Sequence, residues 1–250
     1  MLLETLFVPG AITTLYQPIV ALADPQEIFA VECLTRGPAG TNLHRADVLF
    51  DYVRAKHAAD RVDRLCIATA FASLPPIPHH IAVTLNVHAA TIAAADAFAY
   101  LIEEGVRNGI AADRIIIELV EQAPALDTHG FVESVHALRA AGVRFALDDF
   151  GNGHSSLRLA MDVAPELIKL DRNFIDGCSR DARRRATIAF VRHFAAECGA
   201  RVIAEGIESA EDARALLDLG IPLAQGYYFS KPLAAAALPH ACQGEISHAV

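Results

Sequence analysis

The chain has 250 residues, 53% of them hydrophobic and 20% charged, ample material for a globular core. Its formal net charge of −9 at pH 7, with Arg183-Arg184-Arg185 as the one short basic run, argues against binding long nucleic acid, and the triplet reads as a solvated helix face. No run reaches the roughly 20 apolar residues of a membrane span, and the apolar start carries Glu4 and Pro9 without a basic region, so it does not read as a signal peptide.

In chain order, Leu15–Val20 and Ile28–Leu34 read as two strands. Pro18 cannot donate to a ladder, so the first belongs at an edge or a strand end. Helical spacing follows over Asp47–Ala58 and Val62–Leu74, stopped by Pro75, Pro76 and Pro78. Ile81–Val87 is a strand, Asp96–Asn108 a helix ended by Gly109, and Arg114–Val120 a β-branched run typical of a strand buried on both faces. The helix Gly130–Ala141 closes at Gly142. Val143–Leu147 is a buried strand that stops at Asp148-Asp149, before a glycine-punctuated loop and a serine-capped helix start. Leu167–Asp171, the helix Asp181–Cys198, the strand Arg201–Glu205, a capping-box-like start over Ser209–Asp212 and a last strand over Ile221–Phe229 complete the chain.

About eight strands alternating with helices imply a parallel α/β sheet, and the length suits a closed (β/α)₈ barrel of TIM type. Two strands before the first helix depart from a regular barrel, and one irregular or antiparallel strand near the N-terminus is expected there. No linker divides the chain, so residues 1–250 read as a single domain, with a core over about 12–238 and a short tail over 239–250. The five cysteines are scattered without a C-x-x-C pair and read as reduced thiols of a cytoplasmic protein.

Each strand ends near a polar residue: Gln17, Glu32, Asn86, Glu118, Asp148 with Asp149, Lys169 with Asp171, Glu205 and Gln225. A parallel barrel brings such ends to one rim, where barrel enzymes place their chemistry. The set is rich in oxygen donors and has no histidine or cysteine at zinc-like spacing, which suits Mg²⁺ or Mn²⁺. So many carboxylates repel unless cations neutralise them. An Asp148 bridging two ions suits in-line phosphoryl displacement.

These stretches resemble the EAL-domain family of bacterial cyclic di-GMP phosphodiesterases over nearly the whole chain, from Tyr16-Gln17-Pro18-Ile19 to Lys231-Pro232. The motifs are Glu32-Cys33-Leu34-Thr35-Arg36, Glu118-Leu119-Val120-Glu121, Asp148-Asp149-Phe150-Gly151, Lys169-Leu170-Asp171 and Ala204-Glu205-Gly206-Ile207-Glu208. The resemblance implies a modified barrel that opens cyclic di-GMP to linear pGpG with two Mg²⁺ or Mn²⁺ ions, in a cytoplasmic homodimer. It implies Glu32, Asn86, Glu118 and Asp148 as ligands of one ion, Asp148 and Asp149 as ligands of the other, and Lys169 with Glu205 as the water-handling pair. Substrate contacts fall to Gln17, Leu34, Arg36, Asp171 and Gln225, and loop anchoring to Glu121 and Glu208. Cys33, beside Glu32 on a strand, is expected to face helix packing. Asn152 and His154 depart from the family's loop, which favours the alternative of a silent nucleotide receptor or interaction module.

Overall fold

The computed structural model describes residues 3–94, 96–120, 129–151 and 156–243. Eight strands close into one barrel in chain order. They are β1 (Thr13–Ala21), β2 (Asp24–Arg36), β3 (Ala82–His88), β4 (Ile115–Val120), β5 (Arg144–Phe150), β6 (Leu167–Leu170), β7 (Arg201–Ala204) and β8 (Leu223–Ala224). Helices α1 (Ala46–Ala55) and α2 (Ala59–Ser73) follow β2; α3 (Ala89–Ile92) and α4 (Ala97–Arg107) follow β3. Next come α5 (His129–Ala140), α6 (Ser156–Val163), the one-turn α7 (Arg172–Ile175), α8 (Ala182–Glu197), α9 (Ala210–Asp218) and α10 (Leu238–Ala241).

Strand β1 runs antiparallel to both neighbours, whereas β2 through β8 pair in parallel. The expected irregularity is therefore a β1–β2 hairpin that reverses at Ala21 and Asp24, too tight for the crossover helix that a parallel pair needs. A closed barrel has no edge, so Pro18 sits mid-strand, against expectation. Tyr16 exchanges both backbone bonds with Leu233, away from β2, and pairing with β8 starts only at Val20. Pro18 shares that side and falls in the gap between the two contacts, where no ladder donor is required.

Two further expectations change in three dimensions. Strand β8 is only two residues long, because the chain beyond it leaves the ladder: Ile207 donates to the Gln225 carbonyl and Tyr228 to the Ile207 carbonyl. Gly226 passes so close that a Cβ there would lie 2.2 Å from the Ile207 oxygen. The arginine triplet is not a solvated face either. Arg184 donates to the Asn173 carbonyl and Arg185 to those of Cys178 and Ser179, and only Arg183 is exposed. At the start of α9, Ser209 caps the Asp212 amide at 3.2 Å. The Asp212 carboxylate departs from the capping-box pattern, reaching out to the amides of Gly177 and Ser179.

The barrel is floored by one inward apolar residue per strand, namely Ile19, Ala30, Ala82, Ile116, Ala146, Leu167, Ile203 and Leu223. Alternate residues face outward and pack against the helices, and Cys33 is among them as expected. Leu238 and Ala241 of α10 join this outer layer. No helix among the described residues is long and apolar enough to cross a membrane.

Candidate metal and active site

Strand periodicity builds the site. Two residues rimward of the apolar floor the same faces present Gln17, Glu32, Thr84, Glu118, Asp148, Lys169, Glu205 and Gln225, with Asn86 two further along β3. The ladder extends just past β7 and β8 to hold two of these, since Glu205 donates its amide to the Leu170 carbonyl and Gln225 donates to that of Ala204.

Four of the carboxylates converge on one ammonium. Lys169 Nζ lies 2.5 Å from Glu118 Oε2, 2.8 Å from Glu205 Oε1, 3.2 Å from Asp148 Oδ1 and 3.5 Å from Glu32 Oε1. Burial disfavours the lysine's charge, but the four acids outweigh it and raise its pKa well above the usual lysine value. Glu32 is also buried, yet Lys169 and the amides of Gln225 and Asn86 hold its pKa below the ordinary carboxylate value. Asn86 Nδ2 donates to it at 3.0 Å and Gln225 Nε2 at 2.6 Å. Burial and the Glu32 charge push Glu118 well above its usual range. Burial, opposed by Lys169 and assisted by Asp148 and Glu32, lifts Glu205 to about 8.

The paired aspartates share the rim because β5 breaks register between Leu147 and Phe150, with Asp149 at φ +52°. A regular strand would send adjacent side chains to opposite faces; the left-handed residue cancels that alternation at a conformational cost. Ligand atoms of Asp148, Asp149 and Glu205 all lie within 4.8 Å of one another. Glu118 Oε1 is buried without a hydrogen-bond partner among the described residues. Five clustered carboxylates, one ammonium and an orphaned buried oxygen are a donor set that fits hard divalent cations.

The remaining expected residues are spread around this cluster. Gln17 and Gln225 stand behind Glu32: Gln225 Nε2 also donates to Gln17 Oε1, and Gln17 Nε2 donates to the Ser230 carbonyl. Leu34 and Arg36 are half-buried at the rim end of β2, where Arg36 donates to the Thr35 carbonyl. Asp171 lies beyond β6, and its carboxylate caps α7 by accepting the Asn173 amide at 2.9 Å. Glu208 pairs with Arg172 at 2.8 Å, tying the connection after β7 to α7. Glu121, Asn152 and His154 lie outside the described residues.

Two features escaped the sequence reading. Thr84 is fully buried beside Glu32, its register partner on β2, as the spacing Ala82, Thr84, Asn86 already indicates. The fully buried Asp63 accepts from the backbone amide and Nδ1 of His88 and from Thr91 Oγ1 at 2.6 Å. Its signal was a carboxylate on the apolar stripe of α2, among Val62, Cys66, Ile67, Ala70 and Phe71. His88 lines a cavity of about 200 Å³ beside the acids, with Leu34, Thr35, Phe50, Arg54 and Asn86 among its walls.

A closed barrel with one antiparallel strand and a ring of acids at one mouth defines a class of TIM-type barrel proteins. The EAL-domain family model matches residues 3–232, and the chain belongs to that family. The cyclic di-GMP phosphodiesterase NbdA of Pseudomonas aeruginosa is 30% identical over 233 residues, 89% of this chain and 29% of that protein. A manganese/cyclic di-GMP complex of Klebsiella pneumoniae BlrP1 superposes with a TM-score of 0.79 at 29% identity, covering 90% of this chain and 57% of that one. A standalone EAL protein of Vibrio cholerae O395, in its c-di-GMP-bound form, gives 0.78 at 25% identity over 90% of this chain and 93% of that one. The chain spans about a third or less of the first curated relatives it matches, 32%, 29% and 16% of their lengths.

Proposed function

We propose that this domain is a metal-dependent phosphodiesterase that hydrolyses cyclic di-GMP to linear pGpG. The observation that carries the reading is the convergence of Glu32, Glu118, Asp148 and Glu205 on Lys169 Nζ, with Asp149 beside them. Glu32, Glu118, Asp148 and the side-chain oxygen of Asn86 would hold one Mg²⁺ or Mn²⁺, and Asp148 with Asp149 a second. The ions supply positive charge that polarises a phosphate and acidifies water. Lys169 orients the attacking water by donating hydrogen bonds, and Glu205, held beside the lysine at 2.8 Å, accepts the proton as the water oxygen bonds to phosphorus. The bond from phosphorus to the ribose 3′ oxygen breaks, opening the ring. Arg36 offers its guanidinium to a phosphate. Leu34 and the adjoining cavity, too small for a whole dinucleotide, receive one base.

Gln17 and Gln225 serve by fixing Glu32, Asp171 by starting α7 at the rim, and Glu208 with Glu121 by anchoring loops. A homodimer in the cytoplasm is the setting that family likeness supports, and light scattering reads its mass directly. Incubation with cyclic di-GMP and Mg²⁺ or Mn²⁺ is expected to yield pGpG. Glu32→Ala and Glu205→Gln are each expected to abolish it, and Glu205→Gln, an isosteric change, to leave thermal stability within a few degrees. Tight nucleotide binding with no hydrolysis under either metal would replace this reading with that of a receptor.

A further inference from the structure

The three acids whose ligand atoms cluster most closely, Asp148, Asp149 and Glu205, come from two strands that do not touch. Asp148 and Asp149 belong to β5, Glu205 follows β7, and β6 lies between them. From below, Lys169 of β6 spaces the two sides by contacting Asp148 and Glu205. From above, β6 continues at once into α7, two of whose four residues, Phe174 and Arg172, touch the connections after the two neighbouring strands. On one side, the Phe174 ring closes on Gly151, two residues beyond Asp149, where an added Cβ would meet it at 3.0 Å. On the other, the Arg172 stem covers Gly206, next to Glu205, where an added Cβ would lie 2.6 Å from it, and its head pairs with Glu208.

The turn is itself immobilised, more than a four-residue helix alone would be. Asp171 caps its start, Arg184 holds the Asn173 carbonyl, and Arg185 holds those of Cys178 and Ser179. Asp212 accepts the Gly177 and Ser179 amides from α9. Such charge-assisted bonds from two long helices make the turn a rigid extension of the barrel wall.

We infer that α7 is a bracket that sets the distance between the paired aspartates and Glu205, with Phe174 and Arg172 as positioning residues for the divalent-cation site. The inference rests on the proposed metal site but not on the identity of the substrate. Removing either side chain lets one wall relax, so cation affinity falls and kcat falls with it, whereas KM for the dinucleotide, set elsewhere on the rim, moves little.

The test measures Mn²⁺ affinity by electron paramagnetic resonance of the free ion, alongside steady-state hydrolysis of cyclic di-GMP, for Phe174→Ala, Phe174→Leu, Arg172→Ala and Arg172→Lys. Phe174→Ala is expected to weaken Mn²⁺ on the order of tenfold, with Phe174→Leu restoring most of it. Arg172 is exposed, so Arg172→Ala tests the bracket even if Phe174→Ala fails to fold; it is expected to weaken Mn²⁺ several-fold, with Arg172→Lys, which keeps the aliphatic stem, in between. Folded alanine variants with wild-type Mn²⁺ affinity, a change confined to KM, or a wild-type protein that binds no Mn²⁺ would each overturn the inference. Wild-type protein that binds Mn²⁺ but cleaves nothing would overturn the proposed activity and leave the bracket to be judged on affinity alone.

Discussion

At the scale of the residue, Lys169 and Glu118 act in opposite senses on one electrostatic balance. Lys169 is the ammonium that four buried or half-buried carboxylates share, so Lys169→Met leaves their repulsion uncompensated. In EDTA its melting temperature is expected to drop by several degrees, consistent with the roughly 3–5 kcal/mol of a broken buried pair, and Mn²⁺ should restore much of the loss. Burial and the Glu32 charge push the Glu118 carboxyl well above its usual range, so the fold disfavours its charged form and a neutral amide of the same shape suits the position. Glu118→Gln is therefore expected to melt no lower than wild type in EDTA while losing turnover, a separation of stability from function that differential scanning calorimetry and the hydrolysis assay resolve together. A lower melting point for Glu118→Gln would contradict this account of its charge.

At the scale of the element, the connections behind the site depend on single tethers. Burial raises the Asp212 pKa, but the amides and hydroxyls of Ser179, Ser209 and Gly177 outweigh it and bring the carboxyl down to about 2 from its usual 3.8. Its folded-state pKa is thus depressed: the stabilisation is fully present above the unfolded value and disappears as pH falls through about 2. Asp212→Ala is expected to cost about 1–3 kcal/mol at neutral pH. In urea titrations the gap to wild type should narrow between about pH 4 and pH 2, and a constant gap would dismiss the tether. Gly226 is the other weak point. With a Cβ placed 2.2 Å from the Ile207 oxygen, Gly226→Ala must displace backbone where β8 supplies only two residues to the closing seam. A loss of about 1–3 kcal/mol or more is expected, with amide exchange rising first at Ala224 and Gln225.

At the scale of the whole molecule, the barrel carries a concentrated negative mouth on a chain of net charge −9. Cations that bind only the folded state stabilise it by mass action, by about 2.7 kcal/mol at a hundredfold excess over the dissociation constant. Millimolar Mn²⁺ or Mg²⁺ is expected to raise the melting temperature by several degrees and EDTA to reverse the rise, with the shift abolished in Asp148→Asn. A divalent shift that persists in that variant would move the binding site away from the rim. Because this chain matches only part of each longer relative, these expectations concern the domain itself.

Much of this protein was legible before any fold was seen, because barrel strands repeat with a period of two and the same faces carry Ala30 then Glu32, Ile116 then Glu118, Leu167 then Lys169. That repetition determined the α/β class, the gathering of acids at one mouth and their preference for hard cations. Only the tertiary structure decided what depends on contacts between distant segments. It put Pro18 in an unpaired gap, turned Arg184 and Arg185 inward onto carbonyls, and used Asp171 as a cap. It also broke the register of β5 so that Asp148 and Asp149 share one face. A side chain's period is written in its own strand, but its partner is set by which elements the closed barrel makes neighbours, and sequence spacing carries no record of that.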